Sequence, residues 1–238
     1  MRLRKHSTLA VLLAITAGFA ACQAPFAPAR PPDLKSFTPE TIVDQLIPNG
    51  MIPTSLNLNP AERARAIRLL EAAMPVETQE RRHELVLYLL ISLDHDYALN
   101  RNKLLHVWRA TCDDGTMELM IHLYEQGRKE FVRPLMEDCK VDNVATDEGL
   151  EGFFGDLLAK SPKDFLEALA TFPPAKQRQL CWGAGLDYGG GISSATETKV
   201  LARLTAIGGD LAQRCARGVE AGKRNRDQEQ NESEMQDR

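Results

Sequence analysis

Leu85-Val86-Leu87-Tyr88-Leu89-Leu90-Ile91, with Leu93 just beyond, is the longest apolar run of the chain after its amino-terminal stretch. A helix built on it has no face left for water, yet the run is far shorter than the about 20 apolar residues that a membrane-crossing helix needs. It therefore predicts a buried core helix over 78–94, central to whatever packs around it.

Working outward, the flanking sequence is punctuated by helix starts. Thr38-Pro39-Glu40, Asn59-Pro60-Ala61-Glu62 and Ser161-Pro162-Lys163-Asp164 each place a capping residue before a proline at the first helical position, and Ser194-Ala195-Thr196-Glu197 reads as a capping box. Between these starts the apolar residues recur at three and four, as in Ala64, Ile67, Leu70, Ala73 and Met74, and again in Phe165, Leu166, Leu169 and Phe172. Strictly alternating β-branched runs are absent. The pattern predicts helices at 39–46, 60–74, 78–94, 99–111, 115–126, 128–138, 147–159, 162–172, 174–184, 195–207 and 210–222, an all-α fold. Links this short favour antiparallel neighbours. Leu70-Glu71-Ala72-Ala73-Met74-Pro75 and Leu166-Glu167-Ala168-Leu169-Ala170-Thr171-Phe172-Pro173 are each followed by a charged helix. In that helix, proline break, helix unit the chain resembles HEAT-like helical-repeat proteins, which implies an α-solenoid; an irregular helical bundle is the alternative.

Two stretches interrupt the helices. Gly183, Gly185 and Gly189-Gly190-Gly191 surround Leu186-Asp187-Tyr188, a flexible stretch or a loop shaped for a ligand. From Ala221 onward the chain is almost entirely polar, and 221–238 is expected to be a disordered tail because it cannot bury enough surface to offset its ordering entropy.

The amino terminus carries Arg2, Arg4 and Lys5, then an apolar run from Leu9 to Ala17, then small residues, which is the layout of a secretory signal over 1–21. Phe19-Ala20-Ala21-Cys22 resembles the lipobox of bacterial lipoproteins. The resemblance implies cleavage before Cys22, a diacylglycerol thioether on its thiol, palmitate-type acylation and insertion in a lipid bilayer. With Gln23 following, it implies the outer membrane, with the body facing the periplasm; a soluble secreted periplasmic protein is the alternative. Two or three acyl chains, at about 0.8 kcal/mol per buried CH₂, anchor such a protein stably. The proline-rich segment 22–37 reads as an extended tether, leaving 38–220 as a single helical domain.

The formal net charge is −4, and the signal contributes three positive residues to it, so the exported body is more acidic still. A mildly acidic body disfavours nucleic acid as a partner. Four further cysteines, Cys112, Cys139, Cys181 and Cys215, suit an oxidising compartment, where nearest-neighbour pairing joins Cys112 to Cys139 and Cys181 to Cys215. Three connectivities are possible, and a zinc site is the alternative, although no Cys-x-x-Cys spacing supports it.

His83, His95, His106 and His122 fall in the first half, with Asp94 and Asp96 beside His95. His83 followed by His95-Asp96 on helices resembles the HD-type metal phosphohydrolases, which implies a metal-dependent hydrolase using His83, His95 and Asp96. His83-Glu84 lacks the second histidine one turn on, since position 87 is Leu, so the zinc-protease helix motif is excluded. No Gly-x-Ser-x-Gly elbow or phosphate loop is present. Trp108, Trp182, Tyr97, Tyr124 and Tyr188 are the aromatic anchors to watch at a binding face. The chain reads best as a lipid-anchored, protein-binding adaptor or inhibitor of the cell envelope without a cofactor; the hydrolase and a purely structural envelope protein are the alternatives.

Overall fold

The computed structural model describes residues 34–53, 55–137, 144–186 and 194–236. Among these residues it contains eleven α-helices and no strand: α1 (Ile42–Leu46), α2 (Pro60–Ala73), α3 (Glu80–Ser92), α4 (Tyr97–Thr111), α5 (Asp114–Glu125), α6 (Val132–Leu135), α7 (Val144–Lys160), α8 (Pro162–Leu169), α9 (Pro174–Gly183), α10 (Ser194–Ile207) and α11 (Gly209–Gln236). The fold is all-α, as the periodicity predicts. At α2 the start signal works in full: the Asn59 side chain accepts from the Ala61 and Glu62 N–H groups, and Glu62 returns a bond to the Asn59 N–H. Ser161 departs from the pattern, giving α8 no side-chain cap because its hydroxyl interacts with Tyr124 instead. The capping box expected at Ser194 involves a side chain outside the described set.

The apolar run of α3 is buried from Val86 onward, with Val86, Leu87, Tyr88, Leu89 and Ile91 fully inaccessible and Leu85 partly buried against the core. α3 packs against α1, α2, α4 and α5, so it is the centre of the first half of the body. The second half has a centre of its own in α7, which packs against α5, α8, α9 and α10 through Leu150, Phe154, Leu157 and Leu158.

The contacts that join alternate helices fix the architecture. Arg81 of α3 meets Glu118 of α5 at 3.3 Å, and farther along both helices Tyr88 meets Gln126 at 2.7 Å. Partner numbers rise together, so α3 and α5 run parallel with α4 as the return. Met117 against Gly149 and Tyr124 against Phe153 (ring centroids 5.8 Å apart) make α5 and α7 parallel as well. Glu151 of α7 lies beside Gly183 of α9, and Cys181–Cys215 and Gly185 against Val219 make α9 and α11 parallel. The even-numbered helices form the other layer. Trp108 Nε1 of α4 donates to the Pro134 carbonyl of α6 at 3.1 Å, Arg133 of α6 reaches Thr171 and the Phe172 ring after α8, and α8 packs on α10. Contacts between successive odd-numbered helices span 29 to 38 residues, so helix pairs of unequal length follow one another along the chain. Of the two architectures the sequence leaves open, this two-layer stack of helix pairs is the α-solenoid-like one.

Two boundaries are corrected. The tether expected over 22–37 ends earlier, because Leu34 and Phe37 are 3 % and 7 % exposed and pack in the core with Ile42, Val43 and Leu46. A proline-rich composition concealed two apolar anchors. The tail expected to be disordered from Ala221 is instead the continuation of α11 to Gln236. That segment is rich in Arg, Gln and Glu and holds no proline, so its helical propensity favours continuation of the helix. The signal, the lipobox and Cys22 lie outside the described residues. Among those described, no helix is long and apolar enough to cross a membrane.

Candidate functional site: a tryptophan–arginine groove between α9 and α11

α9 and α11 pack in close backbone contact because glycines line their seam. A Cβ on Gly218 would stand 2.7 Å from the Cys181 Cβ, one on Gly222 would collide with the Trp182 carbonyl oxygen, and one on Gly185 with the Val219 carbonyl oxygen. Gly218 and Gly222 are one helical turn apart and so face the same neighbour. The Cys181–Cys215 disulfide, with Cα atoms 5.1 Å apart and both residues buried, fixes the pair in this register.

Beside that contact line the helices open into a groove of about 530 Å³, lined by Arg178, Gln179 and Trp182 from α9 and by Arg214, Arg217 and Ala221 from α11. Trp182 is 37 % exposed, a large apolar surface held in the groove wall by its backbone contact with Gly222. Arg214 bonds Gln177 at 3.1 Å through one terminal nitrogen, while its buried Nε has no partner. Arg178 and Arg217 have no acidic partner among the described residues. No carboxylate lines the groove, so three guanidinium groups, which stay charged at any physiological pH, converge beside one indole in a chain whose net charge is negative.

The histidines do not come together. His83 lies in the first turn of α3 and His95 just past its far end, which puts them roughly 18 Å apart at 1.5 Å per residue. His95 Nε2 meets Glu71 at 2.8 Å, and its carbonyl accepts from Asn100. His122 sits between Glu118 and Glu125, and His106 is exposed on α4. Asp94 and Asp96 both have positive φ, 52° and 40°, at the sharp α3–α4 corner. Asp94 is clasped there by Arg63 and Arg128, Arg63 also bonds the Leu93 carbonyl, and Arg128 stacks 5.0 Å over the Tyr97 ring. Burial and the neighbouring Glu130 carboxylate hold the Tyr97 phenol far above its ordinary pKa, in its protonated, hydrogen-bonding form. This cluster locks a corner. Among the described residues no group of three His, Cys, Asp or Glu side chains could hold a metal ion. The ligand set His83, His95 and Asp96 is therefore corrected: the helix rise separates its first member from the other two.

Of the aromatic candidates, Trp108 is 1 % exposed and packs, while Trp182 lines the groove. Tyr188 and the glycine-rich 189–191 lie outside the described residues, as does Cys139. Cys112 is disulfide-bonded. Sequence reasoning passed over the arginines, although the signal is present: Arg178-x-x-x-Trp182 on one helix, and Arg214-x-x-Arg217-Gly218-x-x-Ala221 on the other, are single-face stripes at helical spacing. No protein-family model, curated protein or solved structure matches this chain.

Proposed function

We propose that this chain is a cell-envelope lipoprotein, anchored through Cys22 in the outer membrane and facing the periplasm, whose helical body binds a protein partner as an adaptor or inhibitor through the α9–α11 groove. The observation that carries the binding function is Trp182, partly exposed among Arg178, Arg214 and Arg217 on a wall that glycine contacts and a disulfide make rigid. Tryptophan and arginine are the residue types that dominate interface energetics, and a preformed wall spends little ordering entropy on binding. The chemistry selects an acidic partner segment with one apolar side chain: carboxylates for the guanidinium groups, and an apolar group to cover the indole.

Acidic peptides carrying a central Leu or Phe test this reading by Trp182 fluorescence, with buried Trp108 as a constant background. Saturable quenching that is weakened about tenfold or more in Arg178→Glu and in Arg217→Glu is expected, since a charge-assisted contact contributes about 1.5–3 kcal/mol. Binding unaffected by either substitution would refute the groove. The anchor is tested separately: Cys22→Ser should move the protein from the membrane to the soluble periplasmic fraction, and an unchanged distribution would refute lipidation there.

A further inference from the structure

A second concavity, away from the α9–α11 groove, lies where the carboxyl end of α7 turns into α8 and faces α10. It encloses about 780 Å³ and is lined by Lys129, Lys160, Lys163, Asp164, Arg203 and Ile207. Its one acid is already engaged, because Asp164 receives the Lys129 ammonium at 2.7 Å and the Tyr124 hydroxyl at 3.2 Å. The other three cations are available to different degrees. Lys163 has no protein partner among the described residues. Lys160 makes one exposed pair with Asp156 at 2.6 Å, the kind of contact that contributes little and exchanges readily. Arg203 is held against the carboxyl end of α7 by its bond to the Ala159 carbonyl, which fixes a guanidinium on the cleft wall.

The amino end of α8 adds one backbone donor. Pro162 has no N–H, Ser161 gives no side-chain cap, and the Asp164 N–H is taken by the Ser161 carbonyl at 3.0 Å, which leaves the Lys163 N–H without an acceptor among the described residues. The helix end thus offers a donor and a positive partial charge beside the Lys163 side chain. Ile207, 39 % exposed, and Ala206 supply an apolar wall opposite.

We propose that this cleft binds a phosphate ester carrying a short apolar group, with the oxyanion held between Lys160, Lys163 and Arg203 and the carbon portion against Ala206 and Ile207. With Lys160 paired to Asp156, a single carboxylate would still leave one of Lys163 and Arg203 unneutralised, whereas a phosphate monoester brings up to two negative charges and three acceptor oxygens. The cleft is larger than inorganic phosphate alone requires, and the apolar wall accounts for the rest. A soluble alkyl phosphate and the monoester headgroup of phosphatidic acid share this chemistry.

The experiment uses the full chain carrying Cys22→Ser, so that no acyl anchor contributes. Butyl phosphate is titrated by calorimetry in one arm, and phosphatidylcholine vesicles with and without phosphatidic acid are sedimented with the protein in the other. Binding of butyl phosphate identifies a soluble ester as the source. Sedimentation only with phosphatidic acid identifies a lipid headgroup. In either case Lys163→Glu, which breaks no protein contact, should weaken binding about tenfold or more, and added salt should weaken it further. Lys103→Glu, on exposed α4, should leave binding unchanged. Binding of neither probe, or binding that Lys163→Glu leaves intact while circular dichroism shows the variant folded, would overturn the proposal.

Discussion

Replacing Cys181 and Cys215 together by Ala tests how the α9–α11 wall is held. The bond closes a loop of 34 residues, and both sulfurs are almost fully buried, at 1 % and 0 % exposure. On the chain-entropy relation a loop of that length contributes about 3.8 kcal/mol by restricting the unfolded chain. Alanine leaves only a small void at each position and no unpaired polar group, so this entropy should dominate the change. For a domain of this size about 1 kcal/mol corresponds to roughly 2–4 °C, which gives a drop in Tm of roughly 8–15 °C. The assay is thermal unfolding followed by circular dichroism, in oxidising buffer so that the Cys112 disulfide stays intact in both proteins. Groove geometry should survive below the transition, since Gly218 and Gly222 still permit close contact. A Tm within about 2 °C of the parent would mean that the loop is already constrained without the bond, and the reasoning would fail.

Three other perturbations probe separate parts of the fold. Gly222→Val drives a branched side chain into the Trp182 carbonyl and should cost about 1–3 kcal/mol in urea denaturation, with a shift in Trp182 emission; full stability would contradict the close helix contact. Trp108→Phe removes the indole donor from the Pro134 carbonyl, which keeps the Glu137 N–H at 3.2 Å, and should cost about 0.5–1.5 kcal/mol, against about 3–5 for Trp108→Ala; equal losses would show that the ring packing Phe retains contributes nothing there. Glu84 is 3 % exposed, and burial, then the nearby Asp113 carboxylate, push its pKa above the ordinary 4.5 despite the Arg81 pair. The folded protein therefore keeps this proton to higher pH than the unfolded chain. Its contribution is fully present below 4.5 and is lost as pH rises through the folded value. Relative to Glu84→Gln, the parent should lose stability over that window, and parallel urea midpoints across it would refute the assignment.

How far the sequence carries depends on whether a feature is local. Asn59-Pro60-Ala61-Glu62 starts α2 by contacts within four residues, and Val86–Ile91 is buried because no orientation of that helix could expose so continuous an apolar run safely. Such features are legible without any tertiary knowledge. The parallel pairing of α3 with α5 and of α9 with α11 is not, because spacing shows which face of a helix is apolar and not which other helix covers it. Ser161 shows the same limit at one residue: its sequence context is that of a cap, and a tyrosine from α5 claims the hydroxyl. His83 and His95 erred the other way, since they stand at opposite ends of one helix and its rise alone separates them. The groove was half visible. Trp182 stood out by residue type, whereas its arginines acquire meaning only when α11 lies beside α9.

The central claim, that the α9–α11 groove is where this protein meets its partner, is tested most directly by a photocrosslinking residue placed at Gln179 in the groove wall and, as control, at His106 on exposed α4, in living cells. The account predicts one dominant crosslinked partner from position 179, abolished by Arg217→Glu, and none from position 106. The same crosslinks from both positions, or crosslinks at 179 that persist in Arg217→Glu, would contradict it.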